Sequence, residues 1–182
     1  MSEHKDLSEH FVSGDLVYDG ALLKVRRDRV RLPDGSEGTR EYIRHPGAVA
    51  IVALFEDGEV LLERQFRYPH RREFIEIPAG KLEPGEPDLD TAKRELVEET
   101  GYLAAQWTRL GVIHTAIAYT DEAIELFLAR KLSKVERKLD QGEFLEVLRV
   151  PFDEALTMVL EGRITDSKSV AGLLWVDKWM AR

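Results

Sequence analysis

The chain contains no cysteine. Disulfide bonds, thiolate metal sites and cysteine nucleophiles are therefore excluded. The absence also fits a reducing compartment, so we expect the protein in the cytoplasm. Stability must come from an apolar core, and 182 residues that are 43% hydrophobic are enough for one substantial core. We therefore expect a single domain.

Long apolar runs are also missing. The longest, GAVAIVALF from Gly47 to Phe55, falls far short of the roughly 20 residues that a bilayer helix needs. The opening stretch, MSEHKDLSEHFVSGD, mixes charges and lacks the apolar centre of a signal peptide. The net charge of -8 argues against polymeric nucleic acid or an anionic membrane as a partner. A small anionic substrate can still be bound by a few arginines and a metal ion.

Histidine is scarce and scattered, and no two histidines stand at ligand spacing on one element, which argues against a histidine metal site. The five are His4, His10, His45, His70 and His114. A metal ion, if present, must therefore be bound by oxygen atoms.

Strand-like runs and turns fill most of the chain. LVYDG, ALLKVRRDRVRL and REYIRH predict an N-terminal β meander. GAVAIVALF, EVLLERQFRY and EFIEIPAG then begin a core sheet, which WTRLGVIHTA, EAIELFLARKL and FLEVLRVPF continue. Two helices, FDEALTMVLEG and DSKSVAGLLWVDKWMA, finish the chain. Trp175 and Trp179 lie four apart on the last helix, and we interpret them as core rather than as a stacking platform for a base.

A further helix, TAKRELVEETGY, carries Glu95, Glu98 and Glu99 within its last two turns before the stop signal Gly101. Acidic side chains are unfavourable at the negative end of a helix, and like charges three or four residues apart repel. One interpretation is a solvated face in which Arg94 pairs with Glu98. The other is a site for a hard cation such as Mg²⁺ or Mn²⁺, which prefers carboxylate ligands.

The sequence around this helix favours the second interpretation. The stretch GKLEPGEPDLDTAKRELVEETGY resembles the signature of the Nudix hydrolases, G-x5-E-x7-R-E-U-x-E-E-x-G-U with U apolar. The residues that match the fixed positions are Gly80, Glu86, Arg94, Glu95, Glu98, Glu99 and Gly101. Tyr102 takes the last apolar position, which is usually aliphatic. The resemblance implies an α+β fold: a Nudix-type α/β/α sandwich with a central mixed sheet, preceded here by the antiparallel meander.

The resemblance also assigns roles to the residues of this box, 80–102. Glu95 and Glu99 are the principal ligands of Mg²⁺ or Mn²⁺, and the carbonyl of Ala79 is a further ligand. Glu98 binds the ion either directly or through a water molecule, and we count it among the catalytic residues as well. Glu86 and Arg94 brace the loop and orient the glutamates. Such an ion neutralises a pyrophosphate and activates the water that attacks phosphorus.

Outside the box the chain resembles the ADP-ribose pyrophosphatase branch of the family, in REYIRHPGAVAIV, ERQFRY, EIPAGKLEPGE and TDEAIELFLA. On that analogy Arg44 and Arg67 contact the phosphates or ribose of the substrate, and Glu76 contacts a ribose hydroxyl. The alternative for these residues is strand-surface charge. Ile117 stands where the branch commonly carries a proline.

The catalytic base of this branch usually lies in an acidic loop before a late strand, here KLDQGEFLEV. We assign Glu143, which follows the turn-like pair Gln141 and Gly142, whereas Glu146 falls inside the next apolar strand. The alternative for Glu143 is a solvated loop glutamate.

These implications predict a hydrolase that cleaves ADP-ribose to AMP and ribose 5-phosphate. Hydrolysis of another nucleoside diphosphate sugar or related compound is the alternative within the class, and a non-catalytic nucleotide-sensing module is the alternative outside it. The resemblance further implies a homodimer. We expect residues 1–44 to form a β segment used in dimerisation and residues 45–182 to form the Nudix domain.

Overall fold

The computed structural model describes residues 5–139, 142 and 144–181. The chain divides into two compact units, where composition predicted a single domain. The first consists of Met1–His45 with Ala116–Glu122, and the second of Pro46–Thr115 with Ala123–Arg182. The division arises because the N-terminal strands pair with one another in a sheet of their own and do not extend the larger sheet.

The first unit is the predicted antiparallel meander. Its strands β1 (His10–Asp19), β2 (Lys24–Arg31) and β3 (Glu37–Arg44) lie in the order β1-β2-β3. The turn before β3 is closed by Asp34, whose carboxylate accepts a hydrogen bond from the amide of Ser36 at 2.9 Å. The segment Ala116–Glu122 is attached to β3, since the amide of Ile43 donates to the carbonyl of Tyr119 at 2.8 Å.

The second unit is built on a seven-stranded mixed sheet in the order β10-β5-β4-β9-β8, with β6 beside β5 and β7 beside β4. β4 and β9 run parallel, and the other neighbours are antiparallel. The strands are β4 (Ala48–Leu54), β5 (Glu59–Arg67), β6 (Arg72–Glu76), β7 (Ala79–Lys81), β8 (Tyr102–His114), β9 (Ala123–Lys134) and β10 (Leu145–Pro151).

Helices cover both faces of this sheet. They are α1 (Asp88–Glu95), which continues as a π-helical turn (Leu96–Thr100), α2 (Phe152–Leu160) and α3 (Ser167–Met180). A short 3-10 turn spans Tyr68–His70. Pro87 and Pro151 precede α1 and α2, and Asp166 caps α3 by accepting from the amide of Ser169.

Strand β4 shows how the layers are held together, because all seven of its residues are buried. Ala50 and Val52 pack in the cluster that contains α2 and α3, whereas Val49 and Ile51 pack in the cluster that contains Ala92 and Leu96 of the site helix. Each fully buried valine or isoleucine side chain stabilises the fold by about 1.5–3 kcal/mol. Two cores on opposite faces of one mixed sheet form an α/β/α sandwich, which confirms the predicted fold class.

Trp179 is a partly buried residue at the core, but Trp175 is 36% exposed, so the prediction of two core tryptophans is wrong for Trp175. Trp179 packs against the larger core cluster, and the ring of Trp175 lies over Gly111, where a β-carbon would come within 2.3 Å of it. In the described part of the chain, no helix is both long and apolar enough to cross a membrane.

Candidate active site

The helix that carries the glutamates differs from the predicted α-helix in its second half. Residues Leu96–Thr100 form a π turn, which Gly101 ends in the left-handed conformation with a φ of 74°. Glu95 is the last residue of α1, and Glu98 and Glu99 lie within the π turn. π turns inside helices are often found at functional sites.

Glu95 and Glu99 both face strand β7. Glu99 is 7% exposed and accepts a hydrogen bond from the amide of Ala79 at 3.0 Å. The carboxyl group of Glu95 lies directly against Gly80, where a β-carbon would come within 1.8 Å of the carboxyl carbon. The first glycine of the box is therefore required for the close approach of a carboxylate to the strand.

Arg94 connects three of the acidic side chains. Its Nη1 donates to Glu95 Oε1 at 2.8 Å and to Glu98 Oε2 at 3.0 Å. Its Nε and Nη2 donate to the two oxygens of Glu86 at 3.1 and 2.9 Å, and Nη2 also reaches the carbonyl of Lys81 at 3.4 Å. One guanidinium can neutralise only one of three carboxylates, so the cluster keeps an excess of negative charge.

Glu86 accepts hydrogen bonds from two residues, Arg94 and Thr91. Hydrogen bonds from Arg94 and from the hydroxyl of Thr91, the latter at 2.7 Å, lower its pKa to about 2. The same bond to Glu86 raises the pKa of Arg94. Glu86 is therefore charged at neutral pH and joins the loop before α1 to the arginine that orients Glu95 and Glu98.

The donor set fits a hard cation. The acidic cluster offers carboxylate oxygens beside a strand edge, and carboxylates are the ligands that Mg²⁺ and Mn²⁺ prefer. As the side chains stand, no three acidic or histidine groups of the described residues converge closely enough to hold a metal ion. The guanidinium of Arg94 lies between Glu86, Glu95 and Glu98 and forms an ion pair with an oxygen of each.

Arg67 and Glu76 form a second charged group of the same unit. Arg67 donates to both carboxylate oxygens of Glu76, with Nε at 2.7 Å and Nη2 at 2.8 Å. Burial acts to raise the pKa of Glu76, but the bonds from Arg67 and the charge of Lys168 outweigh it and hold this pKa below its ordinary value. The bond to Glu76 raises the pKa of Arg67, and the charge of Glu99 adds to that effect.

Arg44 belongs to the first unit, where its Nε pairs with Asp121 at 3.0 Å. It also lines a cavity of about 490 Å³ within that unit, together with Phe11, Leu16, Arg26, Asp28 and Tyr42. Ile117, which replaces the proline of the branch, is 82% exposed in the segment attached to β3.

Glu143, the predicted base, lies outside the described residues. The segments that flank it are described. The amide of Val135 donates to the carbonyl of Gly101 at 2.8 Å, so the loop begins beside the end of the box. Arg137 donates to the carbonyl of Leu145 at 3.2 Å, and Glu146 accepts from Arg64 at 2.9 Å. Glu146 is thus engaged in an ion pair on the strand that follows.

Sequence reasoning missed Thr91, Lys168 and Glu63, the last a buried glutamate that interacts electrostatically with Lys168 and Glu76. Thr91 lies inside the box, and its hydroxyl bond to Glu86 could have been suspected from the spacing of five residues. Lys168 bonds Glu76 from a distance of 92 positions, for which no local pattern gives a signal. Glu63 is an acidic residue in an apolar strand run, and that mismatch was its only signal.

Comparison with known proteins shows the family. Residues 44–172 match the NUDIX domain, and residues 12–43 match the nucleoside diphosphate sugar hydrolase N-terminal domain. The chain belongs to the Nudix family. It is 38% identical over 174 residues to an ADP-ribose pyrophosphatase of Bacillus subtilis, a match that covers 94% of each chain.

Two other similarities bear on function and fold. A methanol dehydrogenase activator of Bacillus methanolicus is 40% identical over 174 residues, again 94% of each chain. The crystal structure of an ADP compounds hydrolase superposes with a TM-score of 0.86, at 22% identity, and covers 98% of this chain and 97% of that one. The last comparison supports the fold.

Proposed function

We propose that the protein hydrolyses the pyrophosphate bond of ADP-ribose with water, to give AMP and ribose 5-phosphate. The observation that carries the proposal is the carboxylate cluster beside β7, in which Glu95, Glu98 and Glu86 share a single guanidinium. The similarity to an ADP-ribose pyrophosphatase over 94% of the chain supports ADP-ribose as the substrate. A cytoplasmic location remains part of this proposal.

Mg²⁺ or Mn²⁺ would be held by Glu95, Glu98, Glu99 and the carbonyl of Ala79. When bound, such an ion neutralises the pyrophosphate and lowers the pKa of a coordinated water. Arg94 orients Glu95 and Glu98 by donating a hydrogen bond to each, and Glu86 holds Arg94 by accepting another. The bond from the Ala79 amide to Glu99 fixes this carboxylate at the strand, so its position costs no further ordering when the substrate binds.

The chain supplies the base from the loop before β10. Glu143 accepts a proton from the attacking water as the oxygen of that water bonds to phosphorus and the bridging P–O bond breaks. Glu98 serves as a ligand and as a catalytic residue. Arg67, Arg44 and Glu76 bind the phosphates and ribose, since guanidinium groups match phosphate oxygens in charge and geometry.

The functional form is a homodimer joined through residues 1–44. Strand β1 lies at the edge of its sheet. The strand and the turn after it expose seven large apolar side chains: Phe11, Val12, Leu16, Val17, Tyr18, Leu22 and Leu23. An exposed apolar patch on an edge strand favours pairing with another chain. We propose that the partner copy covers this surface and completes the substrate pocket.

Two alternatives give different outcomes in one experiment. Hydrolysis of another nucleoside diphosphate sugar keeps the same chemistry, and a nucleotide-sensing module keeps the fold without turnover. The similarity to a protein named as an activator is a reason to consider the sensing module. Every acidic position of the box is occupied here, however, which favours catalysis.

The experiment is a panel of nucleoside diphosphate sugars and dinucleotides, tested with Mg²⁺ and with the products identified by chromatography. ADP-ribose as the best substrate, cleaved to AMP, is the expected result. Faster cleavage of another nucleoside diphosphate sugar supports the first alternative. Tight binding of a nucleotide without cleavage of any compound supports the second.

A further inference from the structure

The first turn of α3 is bonded to the chain between β6 and β7. The amide of Ile77 donates to the hydroxyl of Ser169 at 2.8 Å, and Ser169 is fully buried. A buried amide without a partner is unfavourable, so this bond holds the start of α3 next to the end of β6.

Lys168 is held at this helix start. Asp166 accepts from the ammonium of Lys168 at 2.9 Å and from the amide of Ser169 at 3.1 Å, which caps the helix with the same carboxylate. The side chain of Lys168 is only 13% exposed. Its ammonium therefore has little freedom to leave this position.

The same ammonium bonds Glu76 Oε2, the oxygen that also accepts from Nη2 of Arg67. Glu76 is 6% exposed, and its carboxylate lies between two cations that reach it from different elements. Arg67, in contrast, is 45% exposed. The three residues form a chain of contacts that begins in the buried helix start and ends at an accessible guanidinium.

This order of burial gives Lys168 a specific role. A carboxylate held by one arginine can rotate together with it, whereas a second, buried cation fixes the plane of the carboxylate and thereby the plane of the guanidinium. We propose that Lys168 is a positioning residue that acts through Glu76 to orient Arg67 for the phosphate of the substrate. The inference rests on the proposed function of Arg67 in substrate binding.

The first test replaces Lys168 by methionine, which keeps most of the length and removes the charge. KM for ADP-ribose should rise roughly tenfold while kcat changes less than about twofold, because uniform binding is lost and the carboxylate cluster is untouched. Lys168→Arg should restore most of the affinity. Lys178→Met is the matched control, since Lys178 lies on the same helix, is 78% exposed and pairs with Asp177.

A double-mutant cycle separates action through Glu76 from a general effect on packing. In a Glu76→Gln background, Lys168→Met should raise KM by less than about twofold further, because the group through which it acts is already neutral. Independent, additive losses in the two variants would overturn the proposal, as would an unchanged KM in a folded Lys168→Met protein.

A readout without turnover keeps the proposal separate from the proposed function. In ¹⁵N spectra the side-chain Nε–H of Arg67, assigned with Arg67→Lys, should exchange slowly with water in the wild type and at least about tenfold faster in Lys168→Met. Failure of the wild type to hydrolyse ADP-ribose would refute the proposed function and leave this prediction in force. Unchanged exchange in Lys168→Met would overturn the positioning role.

Discussion

Glu95 and Gly80 are in direct contact: the carboxyl group of the glutamate occupies the space where any other residue at position 80 would place its β-carbon, 1.8 Å from the carboxyl carbon. Real β-carbons do not approach another atom so closely. Glu95 can therefore occupy this position only if residue 80 is glycine, although the two residues lie on different elements.

Gly80→Ala should displace Glu95, lower the melting temperature and reduce hydrolysis at least about tenfold, since the overlap must be relieved by movement of one of the two groups. Calorimetry and the rate of ADP-ribose cleavage measure the two effects. Adding Glu95→Ala should restore the melting temperature and leave activity low. If the double variant melts no higher than Gly80→Ala alone, the contact is not the cause.

The sequence predicted those features that depend on pattern or motif. The buried run of β4, the meander, the two final helices and the box around Glu95 and Glu99 all stand in a local pattern of residue types. The features that it could not predict depend on residues far apart. The bond from Lys168 to Glu76 spans 92 positions. No pattern of residue types in the sequence predicted the π turn at Leu96–Thr100. The separate sheet of the first unit depends on which strands pair.

Glu143→Gln should reduce kcat by roughly 10² to 10⁴-fold and change KM little, because a general base acts on the attacking water and the carboxylate cluster remains. Steady-state kinetics with saturating Mg²⁺ measure both constants. Glu146→Gln is the control, since Glu146 pairs with Arg64 on the neighbouring strand. If Glu146→Gln or Asp140→Asn gives the large loss in kcat, the base is assigned to the wrong residue.

Glu63 should make stability depend on pH. It is 4% exposed, and Oε1 has no hydrogen-bond partner among the described residues. Burial raises its pKa from 4.5 to about 8, opposed by the charges of Arg137, Lys168 and Arg67 and assisted by that of Glu76. Between these two values the folded state holds a proton that the unfolded state has lost, so stability falls as pH rises.

Glu63→Gln mimics the protonated form and should remove this dependence. As pH rises from about 4.5 to 8, the free energy of unfolding of the variant should increase relative to that of the wild type. At the upper end the difference should be on the order of a few kcal/mol. Urea unfolding at pH 5 and pH 8.5 measures the difference, with the exposed Glu146→Gln as control. Equal stabilities of Glu63→Gln and wild type at both pH values would contradict the prediction.

The proposed dimer can be tested on the full chain. Tyr18→Asp combined with Leu22→Asp places charge in the exposed apolar surface of the first unit, so it should yield monomers and reduce ADP-ribose turnover. Light scattering at micromolar concentration measures the mass. Leu160→Asp, on a leucine of α2 that is more exposed than Leu22 (82% against 67%), should leave both unchanged. Deletion of residues 1–40 should give the same losses while the site helix stays folded. A fully active wild-type monomer would contradict this part of the account.

The most direct test of the central claim is the hydrolysis of ADP-ribose with Mg²⁺ by the wild type and by Glu99→Gln, with Asp90→Asn on the exposed side of α1 as control. Glu99→Gln keeps the shape of the side chain and removes a ligand charge, so the rate should fall by roughly a thousandfold or more. Wild type and Asp90→Asn should be equally active, and excess chelator should abolish both activities. Full turnover in excess chelator, or only a twofold loss in Glu99→Gln, would contradict the account.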